Sequence, residues 1–217
     1  MNPSILTRAP LEGWPMRLLW LLRPLKPLGV LALVAALAGC GAMQAQNPDS
    51  PLRPVNATAG EDGVPLILKG HDVVAYFTEQ RHRPGLPQFR SVHQGVTFQF
   101  ASAEHKALFD AAPARYLPQF GGYCANGIVY GIPWGGDADA WLVHEGKLYI
   151  FGGQGSKDAF LLDVKGHITL AQRYWADEVA GHNSFVQRAR RLVFRVPHYK
   201  SGSELAAAVA AAKQREP

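Results

Sequence analysis

Only two cysteines, Cys40 and Cys124, occur in the 217 residues, so no network of disulfides can hold this chain together. Charge is also scarce, at 18% of residues, with a formal net of +5. Arg8, Arg17, Arg23 and Lys26 against Glu12 put +3 of that within residues 1–39 and leave +2 for the rest. With no dense Lys/Arg stripe beyond residue 39, a nucleic-acid partner is excluded. The chain lacks a membrane-spanning run as well: the apolar stretch from Leu28 to Ala38 falls short of the roughly 20 residues a bilayer requires. There is no serine triad, no carboxylate pair and no metal signature. His93, His144, His167, His182 and His198 are scattered without a ligand spacing. Gly152-Gly-Gln-Gly155 lacks the pattern and lysine of a nucleotide loop. No named reaction is supported, and a non-catalytic role is favoured. At 47% hydrophobic residues the chain can nevertheless build a core.

The first 40 residues have the organisation of an export signal, with a basic region ending at Lys26, the apolar run, and Leu37-Ala-Gly-Cys40. That ending resembles the lipobox of bacterial lipoproteins. The resemblance implies a signal peptide over residues 1–39 and a lipidated Cys40 as the mature N-terminus. Met16 offers a second start that leaves a signal of ordinary length. By the same resemblance to lipoproteins, Gly41 in place of Asp implies sorting to the outer membrane, facing the periplasm, in a host with two membranes. Acyl chains such as palmitate anchor firmly, because each buried methylene contributes about 0.8 kcal/mol. With Cys40 acylated, Cys124 has no internal partner. A lone thiol in an oxidising compartment must be buried, metal-bound, reactive or paired between chains.

Residues 40–63 are polar and Gly/Pro-rich and read as a lipidated flexible tether, with order expected from Val64. Asp72 is placed to cap a short helix over Val73–Phe77. Two hairpins follow. Gln88–His93 and Val96–Phe100 flank Gln94-Gly95, and Ala140–His144 and Lys147–Phe151 flank Glu145-Gly146. Ser102 caps a helix that Pro113 ends, and Ser156 is expected to cap another that Gly166 stops. Thr169 to about Ala180 reads as helix, with Leu170, Tyr174 and Val179 as anchors, and an Ala-rich helix opens at Ser203-Glu204. The fold class is α+β: two β-hairpins with short helices over residues 64–180, and a partly helical C-terminal extension over 181–217.

Gly70-His-Asp-Val-Val-Ala-Tyr-Phe77, Val96-Thr-Phe-Gln-Phe-Ala-Ser102, the Phe109…Pro113…Tyr116…Pro118 spacing, Gly121-Gly-Tyr-Cys124 and Gly146-Lys-Leu-Tyr149 together resemble the YHS-domain family, in particular its small exported bacterial members. The resemblance covers roughly residues 66–178. It implies a small α+β domain and, in related modules, cysteine ligands for a metal. Where those modules resemble Phe-Cys-Ser-x-x-Cys, this chain has Phe100-Ala-Ser-Ala-Glu-His105. Ala101 and His105 stand in the cysteine positions, so a four-thiolate zinc site is excluded.

Three readings follow for Cys124. It is a ligand for copper or zinc, with His105 and His71 as imidazole partners. Or it is an inert thiol in the core of a structural or protein-interaction domain. Or it is the reactive group of an envelope thiol-redox enzyme. His71 reads as a ligand or an exposed neighbour of the Asp72 cap, and His105 as a ligand or a solvated side chain. The aromatics read as core rather than as a ligand pocket.

Overall fold

Val96-Thr-Phe-Gln-Phe100 alternates apolar and polar, and the chain turns at Gln94-Gly95, where both residues have positive φ. This is the pattern of a strand with one face covered, and the structure places it at the centre of a sheet. In the computed structural model the described residues are 50–215, all within one compact unit, Gly41–Pro217. The fold class is α+β. Cys40 and the expected signal segment lie outside the described residues.

Four strands form the larger sheet in the order β1 (Ala57–Ala59), β2 (Pro65–Ile67), β4 (Val96–Phe100), β3 (Leu86–His93). Pairs β1/β2 and β3/β4 are antiparallel, and β2/β4 is parallel. The second hairpin, β5 (Asp137–His144) and β6 (Lys147–Phe151), forms its own two-stranded sheet. Around these lie α1 (Ala75–Thr78), α2 (Ala103–Ala111), α3 (Pro113–Tyr116), α4 (Ala125–Ile128), α5 (Gln154–Leu161), α6 (Val164–Tyr174), α7 (Ser184–Val193) and α8 (Gly202–Lys213).

Strand β6 divides two cores. Leu148 and Ile150 pack with Val74, Tyr76, Phe98, Phe100 and Phe109. Tyr149 and Phe151 point the other way, among Tyr123, Cys124, Ile128, Phe160, Ala171 and Tyr174. Period two along a strand puts alternate side chains on opposite faces, and here both faces are dry. The aromatics are mostly core, as expected: Tyr76, Phe98, Phe100, Phe109, Tyr123 and Tyr149 are buried. Among the described residues, both cores are built from side chains between Leu52 and Leu205.

Three expectations need correction, and the place of the C-terminal extension is settled. The flexible tether does not reach residue 63, because Ser50, Val55, Asn56 and Ala57 are buried and Ala57–Ala59 is a strand. Pro54 in that segment is buried, and a Cβ on Gly60 would lie 2.9 Å from Leu66. Ser156 is not a cap: α5 begins at Gln154 after Gly153, and the Ser156 hydroxyl is engaged with Cys124 instead. Gly166 does not stop a helix. It lies inside α6, where its N–H donates to Asp163 Oδ1 at 2.9 Å. A Cβ there would fall 2.1 Å from Asp163 Oδ2, so glycine makes room for the cap. The C-terminal extension folds onto the domain, with Val196, Tyr199 and Leu205 packed on the second core.

Candidate functional site around Cys124

The site is made by a left-handed corner. Phe120, Gly121 and Gly122 all have positive φ, a conformation that is inexpensive only for glycine. A Cβ on Gly121 would lie 2.3 Å from Pro54 O, so the chain can cross here only without a side chain. Asn56 holds the crossing: its N–H donates to Gly121 O at 2.9 Å and its Nδ2 to Gly122 O at 3.0 Å. Asn56 is buried.

The corner delivers Cys124 to the start of the one-turn helix α4. Its N–H donates to Trp134 O at 2.9 Å. Its sulfur accepts from Gly127 N at 3.4 Å and lies 3.2 Å from Ser156 Oγ. Cys124 is 2% exposed, yet it lines a cleft of about 580 Å³ with Asn56, Lys69, Trp134, Ser156 and Arg188. The floor is glycine: a Cβ on Gly152 would sit 3.7 Å from the Cys124 sulfur. Two cations border the cleft. Lys69 Nζ is 3.4 Å from Asp137 Oδ1. The Arg188 guanidinium lies 5.0 Å from the Trp134 ring centre and donates to Pro133 O at 2.8 Å.

His105 and His71 are elsewhere. His105 is buried, not solvated. Its Nδ1 donates to Asp72 Oδ2 at 2.7 Å, and its Nε2 is 3.3 Å from Thr78 Oγ1. Asp72 is fully buried and does more than cap α1. Oδ1 accepts from Val74 N at 2.8 Å and Ala75 N at 3.4 Å, while Oδ2 accepts from Ala101 N at 2.8 Å and from His105. One carboxylate thus ties the loop before α1 to the end of β4 and the start of α2. His71 is half-buried and lines a separate cleft with Lys69, His82 and Asp139. Its Nδ1 is 3.0 Å from Leu68 O. Burial pulls its pKa below the ordinary histidine value, against the opposing pull of that hydrogen bond.

The expected set Cys124, His105 and His71 therefore does not assemble. Among the described residues no three His, Cys, Asp or Glu side chains are grouped to hold a metal ion. The residues present do not fit a resident copper or zinc, since both nitrogens of His105 are already engaged and structural zinc needs four ligands. Ser156, Asn56 and the second role of Asp72 escaped the sequence reading. Ser156 and Asn56 carry no motif, and the Asp72–His105 pair is 33 positions apart in sequence.

Compared with protein-family models, curated proteins and solved structures, the chain matches none.

Proposed function

We propose that the chain is a membrane-tethered, non-catalytic binding module of the cell envelope, with a YHS-like fold and its ligand site at the Cys124 cleft. The observation that carries this reading is a buried sulfur on the floor of a glycine-lined cleft of about 580 Å³. A recess of that size takes a small molecule. The thiol has a hydroxyl and a backbone N–H as partners, and among the described residues no imidazole or carboxylate is bonded to it. An adjacent base is one of the usual activators of a catalytic thiol, and without it binding is favoured over catalysis. The YHS resemblance would place cysteine ligands at positions 101 and 105. In this chain Ala101 N and His105 Nδ1 both meet the Asp72 carboxylate, so a hydrogen-bonded latch stands where a metal cluster is expected.

Native mass spectrometry of residues 41–217 tests the reading, with Thr58→Trp as the comparison, since Thr58 lines the cleft and is not part of either core. After exposure to small molecules extracted from the envelope, the wild type should retain an added mass that Thr58→Trp loses at unchanged melting temperature. Identical bare masses for the two proteins would end the proposal. A mass shift on copper or zinc loading that vanishes in Cys124→Ser would restore the metal reading instead.

A further inference from the structure

Helix α7 is amphipathic in the reverse of the usual sense. At 100° per residue, Phe185, Val186, Ala189, Leu192 and Val193 share one arc of about 120°. An arc like this normally faces the core. In α7 it faces solvent: Phe185 is 52% exposed, Val186 63%, Leu192 42% and Val193 73%, and Phe194 continues the patch at 68%. The polar side of the helix holds it to the domain. Gln187 is buried and donates to Gly131 O at 3.1 Å and Glu178 Oε2 at 2.8 Å. Arg191 donates to Glu178, and Arg188 to Pro133 O. Apolar patches of this kind mark interaction surfaces.

Charge and position select the partner. From Ser184 to Lys200 there are five Lys or Arg and no Asp or Glu. Arg190, Arg195 and Lys200 are exposed around the apolar stripe. The helix also begins beside the segment through which the chain enters the domain: Gly181 N donates to Arg53 O at 3.2 Å. Nine residues separate Cys40 from Ser50, and the ten steps between them reach at most about 36 Å. A basic-rimmed apolar stripe, next to the point where a membrane tether arrives, has the chemistry of an interfacial helix on anionic lipid.

We infer that α7 and Phe194 form a lipid-docking face, which sets the domain against an anionic bilayer surface with the stripe immersed and the arginines at headgroup level. The placement of this face near a membrane rests on the tethered reading above; its affinity for lipid does not. The test uses residues 41–217 without acylation, sedimented with vesicles of phosphatidylcholine alone or containing phosphatidylglycerol. Binding should be at least ~10-fold stronger on the phosphatidylglycerol vesicles and weaken at high salt. The triple change Phe185→Ser, Val193→Ser, Phe194→Ser should cost ~10-fold or more at unchanged melting temperature, because all three side chains are exposed. Arg190→Glu with Arg195→Glu should remove the preference for anionic lipid alone.

Absence of binding to either vesicle overturns the inference, as does binding that the triple change leaves intact. A concentration-dependent dimer abolished by the triple change would assign the stripe to a second copy and overturn it equally. The anchor is read separately, from the mass of the Cys40 peptide of the full chain made in a two-membrane bacterium. Unacylated Cys40 with intact vesicle binding removes only the tethered reading. Acylated Cys40 without vesicle binding removes only the docking face.

Discussion

At Asp72 two oxygens serve four donors, three of them backbone N–H groups and one an imidazole. Asp72→Asn turns one acceptor into a donor facing donors already in place. The expected loss is about 2–4 kcal/mol in urea unfolding at neutral pH, given the cost of buried unsatisfied groups. His71 offers a different measurement. Its folded pKa lies below the ordinary value of 6.5, so between those two values the unfolded chain binds more protons. The contribution to stability is complete above 6.5 and declines as pH falls through the folded value. His71→Gln should flatten that part of the stability–pH curve, and an unchanged slope would show that His71 titrates alike in both states.

Glu178 shows the same linkage at the level of packed elements. Burial pushes its carboxyl up, but hydrogen bonds from Arg191 and Gln187 outweigh that and hold it below the usual range. Its contribution is therefore present above the ordinary value of 4.5 and is lost as pH drops through the folded one. Glu178→Gln should lower stability by about 1–3 kcal/mol at pH 7 and loosen α7 in particular. The difference between variant and wild type should shrink in acid. The sequence made the hairpins legible because alternation and a glycine turn are local signals, and the Gln94-Gly95 and Glu145-Gly146 turns fall as expected. It made the α5–α6 boundary illegible because Gly166 looks like a helix stop, whereas it lies in the first turn of α6 and donates its N–H to the cap Asp163. Helix α7 falls within the extension that the sequence marks only as partly helical, since nothing in a sequence says which side of an amphipathic helix meets the domain. The candidate site divided likewise. Cys124 stood out as a lone thiol, but its partner Ser156 and its cleft neighbour Asn56 come from distant elements, and His105 was joined to it by resemblance and His71 by the ligand chemistry of its imidazole.

For the whole molecule, the stretch from Ser50 to Ala59 is structural. It supplies β1, the buried Val55 and Ala57, and the Asn56 hydrogen bonds that close the Gly121-Gly122 corner. A chain beginning at Val64 should be about 3–6 kcal/mol less stable than one beginning at Gly41, from the lost apolar burial and hydrogen bonds. Equal denaturation midpoints would mean that this stretch merely lies on the surface. Strand β6 carries a further consequence. Because Leu148 and Ile150 belong to one interior and Tyr149 and Phe151 to the other, neither half of the domain can melt while its neighbour stays intact. The amides of that strand should exchange with deuterium only when the entire protein opens, and heating should give one transition rather than two.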